Sequence, residues 1–390
     1  MKLSKGLFLA FAGLGLFACS NEDVSTEVDN SANNSIVIKL DGLTTSRAIG
    51  DATAGNNDQT VITTLNDVAI VLSDGSTIYG VNTLTNSDSE WTQLTTTASG
   101  YIIHQVSSHV REVHVIGNYA ENQVLKSWVE STQTTPSSST VSAMKALVVK
   151  ANTQQDFTNV TLFGEDVALT SVAEPHDGHT STTLEANVEL KHLVSRIEIG
   201  NIQCTNLGTT YSELTLKYIG LLNYYNQIHL DGTIPEVSMT LDNVLEPTVT
   251  NNNPGEGKYS WSNETTDALY SWAWNKIADN TKLTNTTAWN PGTDQKFVYQ
   301  FIPNQIAGKN FNVKLYLDAT EKTGGATSAF HTVTANFGAQ IDGTAGKIYK
   351  VNFAFAEDNI GSWNPSEDIC VKVKVTVQNW TIKVVTPTFE

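Results

Sequence analysis

The 390-residue sequence predicts an all-β protein built from antiparallel sandwiches, with a few short helices. Three observations carry this reading. Many short segments alternate apolar and polar residues, which puts one face of an extended strand in a core and the other in water. Loops rich in Asn, Gly and Pro separate them, notably at 249–257 and 285–295. Charged residues make up only 16% of the chain while Thr, Asn, Ser and Val abound, which is the composition of an extracellular β-protein and not of a cytosolic enzyme.

The clearest strand signal lies at the end of the chain. Val371, Val373, Val375 and Val377 alternate with Lys372, Lys374, Thr376 and Gln378, so an extended backbone puts all four valines on one face. Asn379 interrupts the row. Trp380, Ile382 and Val384 then resume it, which predicts two strand segments separated by a kink or bulge.

At the other end, Lys2 and Lys5 precede an apolar run from Leu7 to Phe17. That run is about half the length of a membrane-spanning helix and suits the core of a secretory signal. It closes in Leu16-Phe17-Ala18-Cys19, followed by Ser20-Asn21-Glu22-Asp23. The order resembles a bacterial lipobox, in which a peptidase cuts before the cysteine and its thiol takes on diacylglycerol; the alternative is an ordinary signal with an incidental cysteine. Lipidated Cys19 would hold the chain on a membrane, each buried methylene contributing roughly 0.8 kcal/mol.

Ser20 to Asn34 reads as a flexible polar tether. Ile36, Ile38 and Leu40 alternate with Val37 and Lys39 before Asp41-Gly42, forming a short strand. The loop Thr44 to Gly55 follows, small and polar with Arg47 in its middle, and is easily reached by a protease. Asp67–Leu72 and Thr77–Val81 around Asp74-Gly75 form a hairpin signal. Strands are expected at Tyr101–Ile103, Val113–Ile116, Val160–Phe163 and in the long segment Leu184–Ile199. Val124, Leu125 and Trp128, then Met144, Leu147 and Val148, fall at helical spacing on either side of the Ser/Thr run 131–142 and predict one or two short helices. A domain boundary is expected around Gly200 to Leu207. Beyond it Leu214–Ile219, Lys296–Phe301, Asn312–Leu317 and Ile348–Phe353 alternate again.

Several function classes are disfavoured. A net charge of −17 with no Lys/Arg cluster argues against nucleic acid, whose phosphates need a basic patch. No phosphate-binding glycine loop, nucleophile elbow or suggestive carboxylate pair appears, so no catalytic or cofactor-binding residue is expected. His176-Asp177-Gly178-His179 offers two metal ligands without a third at useful spacing, and no metal is expected. His104, His109 and His114 are five apart, so neighbours face opposite sides of a strand. Trp261, Trp272, Trp274 and Trp289 lie near loops and are read as packing residues, with a glycan platform as the other reading. Cys204 and Cys370 are too few for a disulfide framework and are read as buried thiols that the compartment would also permit to pair.

Four features together resemble the fimbrillin superfamily of Bacteroidales, the subunits of type V pili. They are the lipobox, the arginine in a loop after one short strand, Val113-His114-Val115-Ile116-Gly117-Asn118-Tyr119, and the ending Val373 to Thr381. Lys347-Ile348-Tyr349-Lys350-Val351-Asn352-Phe353 before an acidic connector adds to the likeness. The resemblance implies two tandem transthyretin-like sandwiches and export as a lipoprotein, followed by cutting between Arg47 and Ala48 by an arginine-specific surface protease. Ile36, Val37, Ile38 and Leu40 would then leave their groove, and a neighbour's terminal strand, carrying Val371, Val373, Val375, Val377, Trp380, Ile382 and Val384, would replace them. The chain thus divides into a signal peptide (1–18), a tether and propeptide strand (19–47), two sandwich domains (48–202 and 203–370) and a donor segment (371–390).

The implied partners are copies of itself or related fimbrillins in a head-to-tail polymer, the protease, and a transient outer-membrane lipid anchor. The implied location is a surface fimbrium reached through the periplasm and outer membrane. Other roles stay open: a monomeric surface lipoprotein adhesin for glycan or host protein, or an anchor or tip subunit of the same pilus. Taken alone, the terminal valine row is also an ordinary last strand closing its own domain.

Overall fold

The computed structural model describes residues 34–41, 43–45, 62–96, 100–156, 159–172, 183–236, 247–249, 259–261, 273–277, 282–286, 289, 297–304, 311–337, 341, 343–362, 370–371, 374–379 and 381–384. The chain begins with β1 (Asn34–Asp41), β2 (Leu43–Thr45), β3 (Ile62–Leu65), β4 (Asp67–Ser73), β5 (Ile78–Thr85), α1 (Trp91–Thr96), β6 (Tyr101–Val106) and β7 (Glu112–Gly117). It continues through α2 (Gln123–Thr134), α3 (Val141–Lys145), β8 (Val148–Lys150), β9 (Leu162–Asp166), β10 (Thr170–Val172), β11 (Thr183–Glu189) and β12 (Lys191–His192). Then come β13 (Ser195–Cys204), β14 (Tyr211–Leu222), β15 (Gln227–His229), β16 (Pro247–Val249), β17 (Tyr259–Trp261), β18 (Trp274–Lys276), β19 (Lys282–Leu283) and β20 (Phe297–Phe301). The last strands are β21 (Asn312–Glu321), β22 (Thr327–Asn336), β23 (Lys347–Phe355), β24 (Gly361–Ser362), β25 (Cys370–Val371), β26 (Lys374–Asn379) and β27 (Thr381–Val384).

This is the all-β sandwich architecture that the alternating pattern predicts. Sheets β10-β11-β1-β6 and β12-β9-β7-β4-β5 enclose one apolar core that includes Ile36, Ile38, Ile70 and Val115. Sheets β20-β13-β23-β26 and β18-β14-β21-β22-β24 enclose a second, centred on aromatic contacts such as Phe301 with Phe311 at 4.4 Å. Core membership passes from the first cluster to the second between Val194 and Ile197. β4 is buried along its whole length between β5 and β7, which explains its run of consecutive apolar residues. The predicted hairpin is present as the antiparallel pair β4–β5.

Helices fall on both sides of the Ser/Thr run, as expected, with different bounds. Asn122 Oδ1 accepts from the N–H groups of Val124 and Leu125 and starts α2, whose buried face is Leu125, Val129 and Thr132. Val124 is 48% exposed, and Val148 belongs to strand β8, so neither lies on a packed helical face. α1 was not legible in the sequence; one short turn carries too little periodicity. The predicted long strand at 184–199 is three strands, because the chain passes from one sheet of the first sandwich to the other and then into the second.

The terminal valine row also departs from expectation. Val371 lies in β25, parallel to β22, whereas Val375 and Val377 lie in β26, antiparallel to β23. Those partners belong to different sheets of the second sandwich, so the row is not one continuous strand. The expected break after Asn379 separates β26 from β27.

Candidate functional site

β1 is an inner strand. It pairs in parallel with β11 and antiparallel with β6, with Ile36 opposite Leu184 and Ile103, and Ile38 opposite Ala186 and Tyr101. Ile36 and Ile38 are fully buried in the first core, Val37 is 2% exposed, and Leu40 packs against the core. Burying these side chains contributes on the order of 6–10 kcal/mol. Among the described residues β6 has no other strand neighbour in its sheet, so loss of β1 would separate β6 from β11 and expose a row of donors and acceptors on each.

The outer side of β1 is also tied down. Ser35 Oγ and His104 Nδ1 are 3.1 Å apart, joining β1 to β6. Lys39 Nζ donates to Glu185 Oε2 at 2.8 Å, joining it to β11, and this bond holds the Glu185 carboxyl below the ordinary carboxylate range. Gly100, at φ +74°, passes close above. A Cβ there would sit 2.7 Å from the Ile38 carbonyl oxygen and 2.8 Å from Val37 Cγ1.

β27 lies outside both sandwiches. It is the central strand of β2-β27-β3, parallel to each neighbour: Ile382 stands opposite Leu43 and Thr63, and Val384 opposite Thr45 and Leu65. β2 and β3 are the described strands on either side of residues 46–61, the stretch that holds Arg47. Among the described strands β26 lies at the edge of its sheet, with Val375 opposite Val351 and Val377 opposite Tyr349. Cys19, Arg47, Ala48, Val373 and Trp380 lie outside the described residues, as does the His176 to His179 segment.

A polar cluster that sequence spacing did not reveal sits in the first sandwich. Ser73 Oγ is 3.1 Å from His114 Nε2, and His114 Nδ1 is 3.0 Å from Glu165 Oε2; Lys145 Nζ reaches the same oxygen at 2.7 Å and Glu112 Oε2 lies 3.3 Å from Nε2. The order imitates a nucleophile, a base and its orienting carboxylate. Ser73 and His114 are both fully buried, so substrate has no approach to the hydroxyl. Burial lowers the His114 pKa, with Glu165 opposing it, and the group acts as a polar tie between β4, β7 and β9. The three residues are 41 and 51 positions apart, and strand register alone brings them together.

The other histidines separate as expected: His104 meets Ser35, and His109 stacks on Tyr79 at 5.7 Å. Asn118, in the 113–119 motif, adopts φ +54° and donates from Nδ2 to the carbonyls of Thr64 and Val160 while accepting from Asn66 N–H. It fixes the corner between β3 and β4. Trp289 packs beside the second core, with its ring centroid 5.7 Å from that of Phe297. Cys204 is a buried free thiol.

No protein-family profile and no curated protein sequence matches the chain. Among solved structures it is similar to a provisionally described cell adhesion protein of Parabacteroides distasonis, at TM-score 0.54 and 14% identity over 90% of this chain and 98% of the other. A similarly described protein of Bacteroides eggerthii aligns at TM-score 0.52 and 15% identity, over 91% and 98%. The fold is therefore shared along nearly the whole length of both.

Proposed function

We propose that this chain is a structural subunit of a type V fimbria. It is exported as a lipoprotein through Cys19, cut between Arg47 and Ala48, and polymerised by strand donation. The observation that carries the reading is the place of β1: an inner strand of the first sandwich is supplied entirely by residues that precede Arg47. Cleavage would detach that strand covalently and leave a slot between β11 and β6. An open slot lined by apolar core recruits another extended segment.

The displaced strand in this reading carries Ile36, Val37, Ile38 and Leu40, and the C-terminal segment of a neighbour replaces it. Each subunit would donate at one end and accept at the other, a heterologous contact that propagates instead of closing. The proposed units are a tether and propeptide to residue 47, a first sandwich running to β12, a second sandwich beginning at β13 and not at residue 203 as the sequence suggested, and the donor segment 371–390. The partners are like subunits, an arginine-specific protease and, during transit, the outer membrane; the role is mechanical and not enzymatic. The fold shared with provisionally described cell adhesion proteins supports a surface role.

The deciding experiment is the N-terminal sequence of the protein recovered from the cell surface, beside an unboiled gel. A start at Ala48 with a ladder of multimers is expected. A chain blocked at lipidated Cys19 that runs as a monomer would overturn the reading in favour of an anchored adhesin. Deletion after Asp368 should abolish the ladder, and an unchanged ladder would exclude C-terminal donation.

A further inference from the structure

Two segments at opposite ends of the chain carry the same pattern. Ser35-Ile36-Val37-Ile38-Lys39-Leu40 matches Asn379-Trp380-Thr381-Ile382-Lys383-Val384 position by position, with Ile-Lys followed by a branched aliphatic residue in both. Alternation assigns Ile36, Ile38 and Leu40 to the inner face and Ser35, Val37 and Lys39 to the outer. In a strand running the same way, the same rule would set Trp380, Ile382 and Val384 in the places of Ile36, Ile38 and Leu40, and Asn379, Thr381 and Lys383 in those of Ser35, Val37 and Lys39.

We propose that residues 379–384 of a second copy occupy the slot of β1, in β1's own direction, with Asn379 at the place of Ser35 and Lys383 at the place of Lys39, paired to Glu185. This rests on the strand-donation reading above and specifies its register. In that register Thr381 stands opposite Ile102 and Ile382 opposite Tyr101, as Val37 and Ile38 do now. Lys383 takes over the outer-face contact to β11 that Lys39 makes at 2.8 Å. The larger Trp380 falls at the end of the slot where the pairing of β1 with β6 is already irregular, between Asn34 and Ile36.

The fold also says why this segment moves and the valine row stays. Val375 and Val377 are paired to β23, so extracting β26 strips a strand from the chain's own second sandwich. β27 belongs to neither sandwich; its partners are β2 and β3. β2 precedes Arg47 and departs on the same fragment as β1. One cut thus empties the slot and removes one of the two neighbours that hold the occupant. Before the cut, β2 and β3, which precede and follow Arg47, clasp β27 within its own chain, and the precursor stays monomeric.

The test uses full-length variants from producing cells, treated with an arginine-specific protease and run both unboiled and boiled without reductant. Ile102→Cys with Thr381→Cys is expected to give a ladder that survives boiling and collapses on reduction. Ile102→Cys with Lys372→Cys, the pairing if the valine row filled the slot with Lys374 at the place of Lys39, is expected to give none. A boiling-resistant ladder from the second pair and not the first overturns this register while leaving strand donation intact. Absence of any unboiled ladder in the cleaved wild type removes the parent reading and this one together.

Charge reversal supplies a second measurement independent of thiols. Lys39→Glu with Glu185→Lys keeps the precursor's ion pair but sets Lys383 against a lysine, so polymerisation at low salt should slow several-fold. Adding Lys383→Glu should restore it. Failure to restore overturns the Lys383 to Glu185 pairing.

Discussion

Thr63 Oγ1 lies 2.9 Å from the Nε2 of His192, a contact that pins β3 to the point where the chain leaves the first sandwich. β3 is also the strand beside β27, so this buried bond braces the clasp around the C-terminal strand. His192 is 6% exposed, and burial pushes its pKa down to about 3.

That shift gives the protein an acid sensitivity with a defined window. The unfolded chain takes up the proton near pH 6.5 and the folded chain only near pH 3, so the unfolded state binds more protons between those values and stability falls as pH drops through them. From pH 6.5 to 4.5 this one group removes about 2–3 kcal/mol. Urea unfolding at the two pH values should show the loss, and His192→Asn should flatten it. Burial also lowers His114 and His331, so part of the slope remains in the variant.

Gly100→Ala is expected to weaken the seat of β1. The position needs φ +74°, and the added methyl would meet the Ile38 carbonyl at 2.7 Å. The cost is roughly 1–3 kcal/mol, since a strained backbone conformation and a backbone contact add. A lowered urea midpoint, with faster exchange of the amides of β1 than of β4, is the expected readout. Equal loss of protection in both strands would mean that the effect is not local.

Glu357 closes the loop before β14. Its carboxylate accepts N–H groups from Thr209, Thr210 and Tyr211, while its own backbone N–H donates to Asn206 Oδ1 at 2.6 Å. Burial pushes its pKa up, but these hydrogen bonds outweigh that and hold the carboxyl below its ordinary value. The associated stability is present above the ordinary carboxylate pKa and is lost as pH falls through the lower folded value. Glu357→Ala should cost roughly 1–3 kcal/mol at pH 7 by leaving the three donors without their acceptor, measured as a shift in urea midpoint.

Cys204 is fully buried, and burial raises the pKa of its thiol. Iodoacetamide at neutral pH should leave the Cys204 peptide unlabelled in the native protein and label it fully in denaturant, as read by mass spectrometry. Labelling under native conditions would show that the second core opens.

The chain's local chemistry determined a good deal by itself. The period-two segments that became β1, β14, β21 and β23, the hairpin at Asp74-Gly75 and the break after Asn379 were all legible, because side-chain alternation and turn chemistry act between near neighbours. The likeness of 35–40 to 379–384 is likewise written in the residues.

Pairing was decided only in three dimensions. Alternation shows that Ile36 and Ile38 share a face, but not that β1 lies between β11 and β6, residues far along the chain. The valine row illustrates the same gap: its period is unbroken in sequence, yet Val371 joins one sheet and Val375 the other. Ser73, His114 and Glu165 are unremarkable singly and meet through the register of β4, β7 and β9. Strand periodicity is set by the backbone's two-residue repeat, whereas the choice of partner depends on which distant segments can be buried together. That choice placed β27 between the two strands that flank Arg47.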